Sequence, residues 1–343
     1  MKRDRSAAID RLLQSDEPSI RWMAMVRVGG EDPGSSKVKD LQEEIRRSPR
    51  ARTLIAGRDQ RRVREEFVYA KWRGAHWTLA MLAEIGYPAG DESLMSMRNQ
   101  VLDRWLSDEF YHEFESKSAV AKRRGAEGVP MIQGRYRRCA SQQGNALLSI
   151  ERLGLADNRS DRLAERLIHW QWPDGGWNCD RKPSAHISSF NESLLPMLGL
   201  AVYAKRAGDD SARKAALKAS EIFLCRRLFK SKTDGTVISP HWIRPKYPRY
   251  WHYDFLGGLV ATAEMGLISD PRCADALDLL ERKELPGGGW AAEGRFYKVS
   301  QSMEMSTRFG SISLVDWGGS GARRMNEWVT ADALYVLRAA GRV

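Results

Sequence analysis

The chain has 343 residues, of which 42% are hydrophobic and 29% are charged. This composition supports a folded core and excludes a disordered chain. The longest apolar stretch, near Leu194–Ala204, is far shorter than the ~20 residues that a membrane-spanning helix needs, and residues 1–5 lead into no apolar segment of a secretory signal. The four cysteines form no C-x-x-C pair, so neither a disulfide framework nor a zinc-finger spacing is indicated. We therefore expect a cytoplasmic protein with reduced thiols.

The charge and the tryptophan content are both unusual. The chain carries 55 basic and 44 acidic residues, a net charge of +11, and 12 tryptophans. A basic balance predicts a polyanionic partner, such as nucleic acid, a diphosphate ester or an acidic membrane surface that the protein contacts peripherally. The alternative is that the excess of basic residues serves only to keep the protein soluble. The tryptophans predict either a repeated packing motif or an aromatic-lined cavity, because each indole N–H needs a partner.

Residues 1–64 read as a small helical cap. One helical pattern begins at Ile9, Leu12 and Leu13, and a second covers Ser19–Val28 with Ser19 as its N-cap. The sequence Gly-Gly-Glu-Asp-Pro-Gly then interrupts the chain, and a third helix is predicted over Lys37–Arg47.

From residue 65 onward a pattern of two helices repeats. The first helix of each pair is apolar nearly all round, which predicts burial, and it ends in a glycine suited to a left-handed C-cap. These predicted inner helices are Leu79–Gly86, Ala146–Gly154, Leu194–Gly208, Leu256–Gly266 and Ala331–Gly341. The second helix is amphipathic and follows an Asp or Ser start signal. The predicted outer helices are Leu94–Leu106, Leu163–Trp170, Ala212–Phe229 and Cys273–Leu285. Their candidate caps are Asp91, Asp157 or Ser160, Asp209, and Ser269 or Asp270.

Helical hairpins at this period predict an all-α fold. Five or six of them over residues 65–343 can close into a double ring, an α/α toroid, with the apolar helices inside. An open solenoid is the alternative, although solenoid repeats are usually shorter. No run of alternating residues predicts a strand.

One turn carries a recognisable motif. Residues 171–177 read Q-W-P-D-G-G-W, and Pro286–Trp290 is a second copy that lacks the glutamine. The first copy resembles the QW motif of squalene–hopene cyclases and the related repeat of protein prenyltransferase β-subunits. In physical terms, the glutamine amide can bond to backbone at a helix end, the glycines make the turn, and the tryptophan ring stacks on it. The resemblance implies the α/α toroid and an enzyme of terpene-cyclase or prenyltransferase type.

The resemblance also implies where the site lies. In such toroids it is a bowl inside the ring, lined by the starts of the inner helices. Polar and aromatic residues recur at those places in this chain. The candidate substrate-binding residues are His76, Trp77, Arg137, Arg138, Gln142, Trp251, Tyr253 and Trp328, together with Trp317 in the glycine-rich loop Asp316–Gly321.

The candidate catalytic acid is Asp254. Squalene-type cyclases protonate an alkene with an Asp-x-Asp-Asp motif at such a helix start, and that motif is absent here. Asp254 stands in a similar place, and His252 can support it as a general acid. Nearby rings can stabilise a carbocation by cation–π attraction. The alternative is that Asp254 simply caps the helix, which is its commonest role.

A metal ion is a further expectation, although the motifs require no cofactor. Protein prenyltransferases hold zinc through Asp, Cys and His, and their histidine lies in a Tyr-His segment that His252 resembles. Their Asp and Cys positions correspond here to Ser184 and His186, and nothing in the sequence supports Cys179 or Asp180 as substitutes. We therefore take His186 and His252 as candidate ligands of a zinc or magnesium ion. Protein prenylation would also require a partner α-subunit.

Two basic clusters offer a different reading. Seven basic residues lie between Lys117 and Arg138, and seven between Arg226 and Arg249. Arginine binds phosphate bidentately, so either cluster can hold a diphosphate or a nucleic-acid backbone. Solvated loops are the plain alternative.

The leading hypothesis is an enzyme that acts on an isoprenoid or another apolar substrate in a tryptophan-lined bowl. The first alternative is a non-catalytic protein that binds nucleic acid or another polyanion through its basic loops. The second is a carbohydrate-active toroid, in which Glu192 and Asp254 are a candidate carboxylate pair and tryptophans stack on sugars.

Overall fold

The computed structural model describes residues 4–59, 68–116, 128–299 and 311–343. This part of the chain is mostly helical, with fourteen α-helices and five strands of two to four residues, which agrees with the predicted all-α class. No described helix combines the length and the apolar character that crossing a membrane requires. The chain forms two compact units. The first unit is Met1–Pro88 with Cys225–Val343, and the second unit is Ala89–Leu224. The predicted boundary at residue 64 lies outside the described residues.

The N-terminal region of the first unit is helical, as predicted. Its helices are α1 (Ser6–Leu13), α2 (Pro18–Trp22), α3 (Ser36–Arg47), α4 (Pro49–Asp59) and α5 (Ala75–Glu84). The π-helical turn Met23–Val28 continues α2 directly. The N-cap of α2 is Glu17, whose carboxylate accepts a hydrogen bond from the backbone N–H of Ser19, so the predicted cap at Ser19 was wrong. Pro18 explains the difference, because proline is well suited to the first position of a helix.

The second unit contains two helical hairpins and a small sheet. Its helices are α6 (Met95–Trp105), α7 (Asp108–Tyr111), α8 (Ala140–Arg152), α9 (Asn158–His169), α10 (Phe190–Ala207) and α11 (Asp210–Leu224). Its strands are β1 (Glu113–Glu115), β2 (Val129–Ile132) and β3 (Arg135–Tyr136). β2 is the central strand, parallel to β1 and antiparallel to β3.

Two glycines let α8 and α10 approach closely. A Cβ atom on Gly144 would lie 2.3 Å from the backbone nitrogen of Pro196, and one on Gly199 would lie 2.7 Å from the carbonyl oxygen of Gly144. Real Cβ atoms do not tolerate such distances, so only glycine fits at both positions. The close approach holds the first turn of α8 beside the first turn of α10.

The remaining elements belong to the first unit. They are α12 (Phe255–Glu264), α13 (Ala274–Arg282), α14 (Glu327–Ala339), β4 (Lys298–Val299) and β5 (Ile312–Ser313). α12 packs against both α13 and α14, α14 also packs against the π-helical turn, and β4 pairs with β5 in parallel.

The structure confirms the predicted helix repeat. Helices α5, α8, α10, α12 and α14 are largely buried and correspond to the five predicted inner helices, although each begins one to six residues before its predicted start. All five predicted closing glycines have a positive φ, between 63° and 78°. The outer helices begin where aspartate side chains accept backbone hydrogen bonds, and these aspartates are Asp91, Asp157, Asp209 and Asp270. The alternatives Ser160 and Ser269 are therefore not the caps.

The glutamine of the first motif bonds to backbone, as the sequence suggests, and the tryptophan makes a backbone contact that was not predicted. The Gln171 amide donates to the carbonyl oxygens of Gly175 (2.7 Å) and of Ala215 in α11 (2.8 Å). The Trp177 indole Nε1 donates to the carbonyl oxygen of Leu167 in α9 at 2.8 Å. The motif thus joins the turn to two outer helices of the unit, α9 and α11.

The second motif repeats this geometry in the first unit. The Trp290 indole Nε1 donates to the carbonyl oxygen of Leu280 in α13 at 2.8 Å, ten residues back, as in the first copy. Glu284 stands where the first copy has Gln171. Its carboxylate forms an ion pair with the buried guanidinium of Arg5 at 3.0 Å. An ion pair to α1's N-terminal flank therefore replaces the missing glutamine.

Candidate functional site

Two thiols and a carboxyl group meet at the starts of α8 and α10 in the second unit. Cys139 directly precedes α8, Cys179 follows the first motif, and Glu192 lies in the first turn of α10. Their ligand atoms all lie within 4.8 Å of one another, and Cys179 Sγ is 3.4 Å from Glu192 Oε1. Within the described residues this is the one such group of three or more that could hold a metal ion. We call it the thiol–carboxyl group.

Backbone pairing brings the three residues together across the sequence. An isolated parallel bridge joins Arg137 to Asn178, which aligns the segments that carry the two cysteines. The carbonyl oxygen of Trp177 accepts a hydrogen bond from the N–H of Ser189 at 2.8 Å, and the N–H of Trp177 donates to Ser193 Oγ at 3.0 Å. The segment after the motif is therefore attached to the start of α10, beside Glu192.

The group lies in a low-dielectric environment. Glu192 Oε2 accepts a hydrogen bond from the backbone N–H of Ser141 at 3.1 Å, yet burial raises the pKa of the Glu192 carboxyl. The Cys179 thiol forms a hydrogen bond with Cys139, and this bond together with burial raises the pKa of Cys179. The Arg138 guanidinium is buried beside all three groups, and burial lowers the pKa of Arg138 to about 10. One cation therefore faces three groups that can become anions.

Arg137 and Gln142, both predicted substrate ligands, make contacts within the protein. The Arg137 guanidinium donates to the carbonyl oxygen of Ala185 at 2.7 Å and lies over the Trp172 ring, 4.6 Å from its centroid. Gln142 Oε1 accepts a hydrogen bond from Arg138 Nη2 at 3.4 Å. These contacts support the segments around the thiol–carboxyl group.

The predicted metal ligands His186 and His252 are not part of that group and lie in different units. His186 is exposed, with Nδ1 2.7 Å from the carbonyl oxygen of Ser184. Nδ1 of His252 is 3.1 Å from the carbonyl oxygen of Arg249. Because a carbonyl oxygen can only accept, Nδ1 carries a hydrogen in both rings.

The first unit contains an aromatic cluster at the starts of α5 and α12. Its rings are Trp72, Trp77, Tyr250, Trp251, His252 and Phe296. Trp72 stacks on Tyr250, with ring centroids 3.7 Å apart and planes 5° apart. His252 stacks between Phe296, at 3.6 Å, and Trp251, at 4.1 Å. Two of the three predicted aromatic ligands near these helix starts, Trp77 and Trp251, belong to this cluster.

Two ammonium groups lie over the faces of the aromatic cluster. Lys71 Nζ is 5.5 Å from the Trp72 ring centroid and 5.2 Å from that of Trp251. Lys246 Nζ is 5.0 Å from the ring centroid of Phe296. All three distances are within the range of cation–π attraction. The cluster thus combines apolar ring surface with faces that already stabilise positive charge.

The histidines of this region are neutral near pH 7. Burial lowers the pKa of His252 to about 4 and that of His76 to about 3. His76 contacts the Trp77 ring at 4.7 Å. With its hydrogen on Nδ1, the neutral His252 ring carries its lone pair on Nε2.

Asp254 caps α12, which confirms the alternative prediction of a structural role for this residue. Its Oδ1 accepts a hydrogen bond from the N–H of Gly257 at 2.8 Å, and its Oδ2 accepts one from the N–H of Lys246 at 3.0 Å. The side chain is fully buried, and burial raises its pKa. The adjacent Tyr253 hydroxyl donates to the carbonyl oxygen of Leu228 at 2.6 Å. Both residues thus have structural contacts, and catalysis by Asp254 stays a prediction.

Trp317 and Trp328 pack around a third ring that the sequence did not single out. Tyr247 is parallel to Trp328 at a centroid distance of 4.9 Å, and it meets Trp317 edge-on at 5.9 Å. All three side chains are buried. The predicted ligands Trp317 and Trp328 therefore belong to a separate aromatic packing group in the first unit.

Cys139 was missed as a site residue although the sequence contains a signal for it. It occupies an inner-helix N-cap position, where the other four inner helices have Gly74, Ser189, Asp254 and Asn326. Cysteine is not among the residues preferred there. An unusual residue at a repeated position indicates a role other than capping.

Comparisons of the chain with models of known protein families, with curated proteins and with solved structures found no match.

Proposed function

We propose that the protein is an enzyme of terpene-cyclase or prenyltransferase type that acts on an isoprenoid or another apolar substrate. The observation that carries this proposal is the aromatic cluster with its two lysines at the starts of α5 and α12. In this proposal the helical hairpins form an α/α toroid and the cluster faces its central bowl. The repeated motif geometry supports the toroid, because two copies make the same indole contact to the preceding outer helix.

The chemistry of the cluster suits an isoprenoid. Ring faces bind a hydrocarbon chain by burial of apolar surface, and each can stabilise a developing carbocation by about 0.5–2 kcal/mol. The ammonium groups of Lys71 and Lys246 can counter the charge of a diphosphate group. The substrate class that combines both requirements is an isoprenyl diphosphate.

His252 is the residue we assign to proton transfer. Its neutral ring stacks within the cluster, and the hydrogen bond from Nδ1 to the Arg249 carbonyl leaves the lone pair on Nε2. Such an atom accepts the proton that a carbocation loses when an alkene forms. Asp254 is a weaker candidate for acid catalysis, since both of its oxygens already accept backbone hydrogen bonds.

The test is turnover of isoprenoids by the full chain. Purified protein is incubated with a series of isoprenyl diphosphates and with squalene, and released diphosphate and extracted products are measured. We expect turnover of at least one diphosphate ester. His252→Gln should lower kcat by about 10²- to 10⁴-fold. Trp251→Leu should lower it by about 2- to 30-fold, the value of one cation–π contact.

Trp242→Leu is the matched control for Trp251→Leu. Trp242 is half-buried and contacts Tyr253, outside the aromatic cluster. Its replacement should leave kcat within about twofold. Urea unfolding of each variant shows that it is folded. Absence of turnover with every substrate, or equal loss in both tryptophan variants, would contradict the proposal.

A further inference from the structure

We propose that Cys139, Cys179 and Glu192 bind one zinc ion, with a fourth coordination position left for water or a substrate atom. The proposal concerns the second unit and does not depend on the aromatic cluster. It starts from the convergence of two sulfur atoms and one carboxylate oxygen within 4.8 Å. In a tetrahedral zinc site, ligand atoms about 2.0–2.3 Å from the ion lie about 3.5 Å from each other. Small side-chain rotations suffice to bring the ligand atoms from separations of up to 4.8 Å to this spacing.

A divalent cation balances the charge of the site once both thiols and the carboxyl group have lost their protons. Two thiolates and one carboxylate carry three negative charges, and the buried Arg138 guanidinium supplies one positive charge. A zinc ion supplies the other two, so the complete site is neutral. Buried charges without such compensation are strongly unfavourable.

The ligand chemistry distinguishes between the two metals that the sequence suggested. Magnesium prefers six oxygen ligands in an octahedral arrangement, whereas thiolates favour zinc. Two of the three ligands here are sulfur atoms, so we assign zinc. Three protein ligands leave a tetrahedral ion with one open position, as in catalytic rather than structural zinc sites. Both cysteines are half-buried, which allows a small molecule or water to reach that position.

The supporting contacts hold the ligands in place. The Arg137–Asn178 bridge aligns the segments of the two cysteines, and Ser141 N–H donates to Glu192 Oε2. The latter bond leaves Oε1, which faces Cys179 Sγ, as the coordinating oxygen. Hydrogen bonds of this kind to metal ligands fix their orientation.

Metal content of the full chain tests the proposal directly. Protein purified without chelator is analysed by native mass spectrometry and elemental analysis, and zinc affinity is measured against a chromophoric chelator. We expect about one zinc ion per chain. Cys139→Ser and Cys179→Ser should each weaken zinc affinity by more than about 100-fold, and Glu192→Gln by a smaller factor. Cys225→Ser, at a half-buried cysteine outside the group, should retain full zinc content.

Cobalt substitution keeps the test decisive if a serine variant does not fold. Wild-type protein loaded with Co²⁺ should show a sulfur-to-cobalt charge-transfer band and the intense visible bands of tetrahedral coordination. Failure of the wild-type chain to bind zinc or cobalt would overturn the proposal. So would full zinc content in the Cys139→Ser/Cys179→Ser double variant. Neither readout needs a substrate, so a negative turnover result leaves this test unaffected.

Discussion

Buried histidines show how position sets the chemistry of a side chain in this protein. His76 lies in the first turn of α5 and is 2% exposed, while His252 is stacked between two rings. Removal from water disfavours the charged form, which lowers the pKa of both imidazoles. Each histidine is therefore neutral when folded, although it gains a proton in mildly acidic solution when unfolded.

This difference predicts that acid destabilises the fold through His76. The pKa of His76 is lowered from 6.5 to about 3, so between these values the unfolded chain binds a proton that the folded chain does not. The stability is complete above pH 6.5 and is lost as the pH falls toward 3. Between pH 7 and pH 5, this residue should reduce the free energy of unfolding by about 2 kcal/mol.

Urea unfolding of His76→Gln at the two pH values checks this prediction. The variant should show a pH dependence about 2 kcal/mol smaller than that of the wild type. His241→Gln is the control, because His241 is exposed and its replacement removes no buried imidazole. An unchanged pH dependence in His76→Gln would show that His76 is protonated in the folded state.

The first motif is the element that connects sequence pattern to packing most directly. Gly175 has a φ of 102°, and a Cβ atom there would lie 2.5 Å from the carbonyl oxygen of Lys218 in α11. Glycine is required at position 175 both by the left-handed backbone conformation and by the close approach of α11. Gly235, in the turn after α11, has a φ of 71° but no atom within 4 Å of its Cβ position.

These two glycines predict different costs for the same substitution. Gly235→Ala should lower the free energy of unfolding by about 1–2 kcal/mol, the cost of a left-handed alanine. Gly175→Ala should cost at least about 1 kcal/mol more, because α11 must also move away from the turn. Urea unfolding of both variants at one pH measures the difference. Equal losses would mean that the contact between the turn and α11 adds nothing to stability.

The helices could be predicted from sequence because their signals are local. A closing glycine and a capping aspartate act within a few residues, so the glycines that close all five inner helices were predicted correctly, while the helices begin one to six residues before their predicted starts. The thiol–carboxyl group could not be predicted in this way. It depends on pairing between distant segments, such as the Arg137–Asn178 bridge, which has no local signature. The prediction of a metal ion therefore used His186 and His252, while the structure brings together two cysteines.

At the scale of the whole molecule, several residues of the second basic cluster form ion pairs with carboxylates. Arg227 and Lys230 both pair with Asp275, at 3.0 and 2.7 Å, and Arg249 pairs with Asp332 at 2.7 Å. In the first cluster, Arg137 and Arg138 are buried. Its members Lys117, Lys122, Arg123 and Arg124 lie outside the described residues.

This distribution predicts weak, non-specific binding of nucleic acid. Affinity for a nucleic-acid backbone depends on how many phosphates meet free cations, and that number sets the slope of affinity against salt. Paired and buried arginines do not contribute to it. We expect a Kd weaker than about 10⁻⁵ M for duplex DNA or RNA at physiological salt, measured by fluorescence polarisation of a labelled oligonucleotide.

Charge reversal at exposed lysine and arginine shows whether any binding uses the second basic cluster. Lys232 and Arg244 are exposed, so Lys232→Glu and Arg244→Glu leave the buried ion pairs intact. If binding is only non-specific, each variant should change the affinity by less than about tenfold. Binding in the nanomolar range, with a steep salt dependence that both variants reduce, would instead favour the polyanion-binding alternative over an enzyme. In that case the basic residues behind the net charge of +11 would include a binding surface. The paired and buried arginines described above would still have a structural role.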